Sequence, residues 1–99
     1  MQSTYAEHFV REMGCTSAEW LGWLPGAVRD CPLVLDESRA TVSLPHGDLH
    51  LDWEALPPRR IALVQLPRLL VRFTFVGTTP DVRLNFMRYF DLYLQRGGG

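Results

Sequence analysis

Alternation of polar and apolar side chains is clearest from His46 to Trp53, where His46, Asp48, His50 and Asp52 alternate with Gly47, Leu49, Leu51 and Trp53. A period of two is that of a strand, so one set faces a core and the other faces water or a ligand. Leu33 to Asp36 and Ala40 to Leu44 are short extended runs of the same kind. Glu37-Ser38-Arg39 and Pro45-His46-Gly47 are short enough to join these runs as hairpins, which predicts an antiparallel meander. After Leu56-Pro57-Pro58, Arg60 to Leu66 and Leu69 to Val76 are strongly β-prone. They flank Pro67-Arg68, which marks either a tight hairpin or a bulge in one long strand. Within the second run Leu69, Val71, Phe73 and Phe75 form the face expected to be buried.

The two ends of the chain carry helical patterns. Thr4 with Glu7 is a capping box, and Tyr5, Phe9, Val10 and Met13 then fall on one side, predicting a short helix over about 4 to 13 that stops at Gly14. Thr16 with Glu19 repeats the box, so a second helix starts near Ser17, carries Trp20, Leu21 and Leu24, and is kinked or ended by Pro25-Gly26. Ala27 to Asp30 has room for one more helical turn before Cys31-Pro32. The last helix opens on Thr79 and Pro80, with Asp81 at the positive end of its dipole, and is expected to reach Arg96 and stop at Gly97. Val82, Phe86, Phe90 and Tyr93 or Leu94 make its central stripe, widened by Met87, Tyr89 and Leu92. The expected architecture is therefore α+β: two short N-terminal helices, an antiparallel sheet of four to five strands in a meander, and a long C-terminal amphipathic helix packed on one sheet face.

Ninety-nine residues, 46% hydrophobic and 21% charged, suit one domain over residues 1 to 96, with a disordered glycine tail at 97 to 99. No window approaches the roughly 20 apolar residues of a membrane span. Glu7 and Glu12 lie in an N-terminus without a basic start, unlike a secretory signal, so a cytoplasmic location without membrane contact is expected. Cys15 and Cys31 lack the close pairing of a zinc or redox site and read as reduced thiols.

All ten basic residues are arginine. Residues 1 to 58 hold three of them against nine acids, and residues 59 to 99 hold seven against two. Such a split marks an anionic partner or, more plainly, two segments that lie against each other in the fold.

Two imidazoles and two carboxylates at alternate positions, His46, Asp48, His50 and Asp52, offer ligands suited to a divalent transition metal such as zinc, manganese or iron. A solvated strand face has the same composition, and no cofactor is the plainer expectation. Nucleophilic catalysis has little support. Cys15 precedes a helix cap and His8 lies one helix away, but no third orienting group accompanies them. The single glycines exclude a phosphate loop. Arg59, Arg60, Arg68 and Arg72 lie near Phe73 and Phe75, but those rings fall on the expected core face, which speaks against a nucleic-acid partner. Trp20, Trp23 and Trp53 either fill the core or leave an aromatic patch, since a core this small has little room for both Trp20 and Trp23. Aromatics and arginines at a surface anchor protein contacts. The functional expectation is thus a small non-enzymatic protein that binds a protein partner or itself, with Trp20, Trp23, Arg59 and Arg60 as contacts. Alternatives are the His/Asp metal site, as a binding module or an enzyme, and a small apolar ligand held between the sheet and the last helix.

Overall fold

The computed structural model describes residues 4–98 and combines a five-stranded antiparallel sheet with two α-helices. The first expected helix is corrected: these residues form an edge strand, β1 (His8–Met13), and only one helix lies in the N-terminal part. Phe9, Arg11 and Met13 fall on one side of β1 and His8, Val10 and Glu12 on the other, so the residues that suited a helical stripe also suit a strand. The deciding partner is remote. β1 pairs antiparallel with β5 (Val64–Val76), from His8 opposite Thr74 to Met13 opposite Leu69, and the Phe9 ring stacks on Phe73 at 4.6 Å. Backbone pairing along six residues and an aromatic stack outweigh one four-residue capping signal.

The helix α1 (Ser17–Ala27) is capped as the Thr16 and Glu19 spacing predicts, each side chain meeting the other's backbone amide. It runs through Pro25 and Gly26 to Ala27, and turns its Trp20, Leu24 and Ala27 face inward. Beyond it, β2 (Leu33–Asp36), β3 (Arg39–Ser43), β4 (Asp48–Ile61) and β5 form the expected meander, and the sheet order is β1-β5-β4-β3-β2.

Of the two readings of Pro67-Arg68, the structure takes the irregularity within one long strand. Pro67-Arg68 lies inside β5, and the hairpin closes at Ala62-Leu63, where Ala62 takes φ 54°. The ladder skips between Leu56 opposite Arg68 and Arg59 opposite Leu66. Pro57 and Pro58, which have no N–H for the ladder, occupy that skip opposite Pro67. The prolines therefore bulge one long ribbon instead of ending it.

The core lies where the alternation placed it. Leu49, Leu51 and Trp53 of β4 and Leu69, Val71, Phe73 and Phe75 of β5 are all buried. Both helices cover this one face: Trp20 packs edge-on to Trp53 and Phe90, and Phe90 edge-on to Phe73. The last helix, α2 (Pro80–Tyr93), is capped by Thr79 with Pro80 in the first turn. It buries Arg83, Met87 and Phe90, followed by Leu94 in a terminal π-helical turn over Leu94–Gly98. The stripe is thus rotated from the expected one, leaving Val82 and Phe86 half-buried. Arg83 is accommodated because its Nε donates to the Tyr5 carbonyl at 2.8 Å and its Nη1 to the Thr78 hydroxyl at 3.1 Å. Of the glycine tail, Gly97 and Gly98 belong to the π-helical turn, and Gly99 lies outside the described residues.

Candidate binding surfaces

The sheet face opposite the helices is open. Its side chains form cross-strand rows, one running from His8 through Thr74, His50 and Thr41 to Val34, the next from Val10 through Arg72, Asp52 and Arg39 to Asp36. His8 Nδ1 is 2.8 Å from the Thr74 hydroxyl, and His50 Nδ1 is 3.4 Å from that of Thr41. Arg72 donates to Asp52 at 2.8 Å and to Glu54 at 2.6 Å, while Arg68 donates to both oxygens of Glu12. These pairs join arginines of the second half of the chain to acids of the first, as the plainer reading of the charge split expects.

Asp48, His50 and Asp52 do share the open face, while His46 is exposed in the β3–β4 turn. Among the described residues no group of three or more His, Cys, Asp or Glu side chains is placed to hold a metal ion. The carboxylate of Asp52 is instead engaged by Arg72.

The tryptophans divide. Trp20 is 0% exposed and Trp53 is buried, while Trp23 is half-buried beside the core. The core thus has room for Trp20, whose side chain presents no surface for a partner. Cys15 is buried and Cys31 half-buried, both as free thiols, and burial pushes both thiols up from the ordinary cysteine range. A raised thiol is a poor nucleophile at neutral pH.

Arg59 and Arg60 lie on an arm. β3 pairs with β4 only from Asp48 to Asp52, and β1 reaches β5 only as far as Leu69, so the rest of the β4–β5 ribbon stands beyond the body. Large apolar side chains crowd its end: Leu63 is fully exposed, Ile61 and Val64 are each 55% exposed, and Leu66 is 42% exposed. Ile61 opposite Val64 and Arg59 opposite Leu66 continue the open face of the sheet. Arg59 approaches Glu12 at 3.9 Å, and Arg60 faces the amide oxygen of Gln65 at 2.8 Å when that amide is turned toward it. Sequence reading placed these residues in a strand and missed their exposure. The available signal was the absence of any acid between Glu54 and Asp81 around an apolar run.

Hollows also mark the surface away from the arm. A shallow one of about 460 Å³ lies on the open face beside Val34, Asp36, Arg39, Thr41, His50 and Asp52. A second, of about 290 Å³, lies between the end of α1, the β3–β4 turn and α2. No helix among the described residues is long and apolar enough to cross a membrane. No protein-family model matches the chain, and neither a curated protein nor a solved structure matches it.

Proposed function

We propose that this protein is a small non-enzymatic binding protein that acts by self-association through the β4–β5 arm. The observation that carries the reading is the cluster of Ile61, Leu63, Val64 and Leu66, exposed together on a ribbon outside the packed body. A two-stranded ribbon without a third strand or a helix is marginally stable in water, so cover by another surface stabilises it.

Charge supports a second copy as that surface. Along the arm, from Leu56 to Arg68, the ribbon holds Arg59, Arg60 and Arg68 and no acid, Arg68 being already paired with Glu12. The open face at the other end of β4 carries Asp36 and Asp48 beside Arg39 and the Asp52–Arg72 pair, with Val34 exposed among them. Arm and acidic face lie on the same side of the sheet at opposite ends of one strand. A two-fold rotation therefore lays each arm across the open face of its partner, the closed and self-complementary arrangement of an isologous dimer. Pairing through strand edges is disfavoured, because Pro57, Pro58 and Pro67 lack the N–H groups a new ladder needs. The contact is made by side chains.

Sedimentation equilibrium at micromolar concentration tests this. The wild type is expected as a dimer, and Leu63→Asp with Ile61→Asp as a monomer with an unchanged circular dichroism spectrum. Arg59→Glu and Asp36→Arg are each expected to weaken the dimer and together to restore part of it. A wild type that stays monomeric at high micromolar concentration, or a dimer indifferent to the arm variants, overturns the reading.

A further inference from the structure

The second hollow has a different chemistry from the arm. The chain leaves α1 through Arg29, a non-glycine residue at φ 57°, held by its N–H on the Gly26 carbonyl at 3.2 Å. A left-handed residue other than glycine costs about 1 kcal/mol or more, and such residues gather at binding sites. The consequence here is a placement: the Arg29 guanidinium carbon lies over the Tyr89 ring, 4.1 Å from its centroid. Arg29 and Tyr89 line the 290 Å³ hollow together with Val28, Cys31, Pro45 and Phe86. Arg29 is the one charged side chain of that lining, and no carboxylate lines it. Among the described residues Arg29 makes no ion pair.

Stacking on tyrosine uses the face of a guanidinium and leaves its edge N–H groups available, in the fork geometry that matches a carboxylate. The remaining walls are apolar and aromatic apart from the Asn85 amide and the Cys31 thiol. The volume is at the lower end for ligand sites, which suits a ring-sized molecule and excludes a long acyl chain. We infer that this hollow binds a small aromatic monocarboxylate, its carboxylate on Arg29 and its ring against Phe86 and Tyr89. A neutral molecule of the same shape gains the apolar contact but not the charge-assisted hydrogen bonds, so the site discriminates by charge. This inference does not depend on the arm.

Cys31 supplies the readout, since its half-buried thiol lines the same hollow while Cys15 is buried elsewhere. Phenylacetate at millimolar concentration is expected to slow alkylation of Cys31 several-fold, and phenylacetamide, its neutral isostere, to do so at least about tenfold more weakly in concentration. Arg29→Asn removes the guanidinium while keeping a residue that tolerates the left-handed conformation. In that variant the preference for the acid is expected to vanish, with the unfolding midpoint as the check on folding. Should phenylacetate give no protection, protect no better than the amide, or protect the folded Arg29→Asn protein equally well, the inference is overturned.

Discussion

Arg11 and Asp91 meet side to side, with Nη1 on Oδ1 at 2.5 Å and Nη2 on Oδ2 at 3.0 Å, and thereby fasten the edge strand β1 to α2. The Tyr5 hydroxyl donates to the same carboxylate at 2.6 Å, so one acid near the end of the chain gathers two groups from its beginning. Removing it leaves a partly buried guanidinium without its anion. Asp91→Ala is expected to cost about 2 kcal/mol in urea unfolding, and Arg11→Met with Asp91→Leu less than the two single changes added. Strictly additive costs would show that the pair is not coupled.

Glu12 provides the acid-side dependence. Its hydrogen bonds from Arg68 hold its carboxyl below the ordinary glutamate range. A folded value below the unfolded one means that the contribution is present above the ordinary range and lost as pH falls through the lowered folded value. Glu12→Gln is therefore expected to melt below the wild type at neutral pH, with the gap closing on acidification. Parallel melting curves across that range would refute this.

On the alkaline side the sign reverses. Burial, with the Asp91 carboxylate second, pushes the Tyr5 phenol up. Its contribution is full below the ordinary phenol range and is lost as pH rises through the raised folded value. Tyr5→Phe is expected to lessen the alkaline fall in melting temperature. An unchanged slope would leave Tyr5 without this role.

Gly47 closes the β3–β4 turn at φ 88°, accepting from the Leu44 N–H at 3.0 Å. A methyl group there meets the Val76 carbonyl oxygen and the Gly77 carbonyl carbon and oxygen, which are backbone atoms of the adjoining strand end. Gly47→Ala is expected to cost about 3 kcal/mol, because strain and collision add. Gly77, at φ 71°, has its nearest foreign atom at 3.7 Å, so Gly77→Ala meets the strain alone and is expected to cost about 1 kcal/mol. Equal losses in a urea series would contradict the collision argument.

Trp20 is wholly buried and its Nε1 has no hydrogen-bond partner among the described residues. Phenylalanine keeps ring contact toward Trp53 and Phe90 while removing the unsatisfied donor. Trp20→Phe is expected to cost under about 2 kcal/mol and Trp20→Ala about 4 kcal/mol. Comparable losses for the two would show that the indole N–H is satisfied or that the six-membered ring is not what packs.

Sequence alone determined those features whose causes are local. The inward alternation of Leu49, Leu51 and Trp53 and of Leu69 to Phe75 is a backbone period, and the caps at Thr16 and Thr79 involve residues three apart. What depended on distant partners was decided by the tertiary structure. Tyr5 to Met13 satisfies a helix and a strand equally well until the free edge of β5 and the ring of Phe73 are beside it. Pro57-Pro58 resembles a break until Pro67 lies opposite. The exposure of Ile61, Leu63, Val64 and Leu66 exists because β3 and β1 end before the ribbon does, a matter of strand lengths that no local pattern contains. The hollow beneath Arg29 draws its walls from three separated segments, so only their convergence creates it.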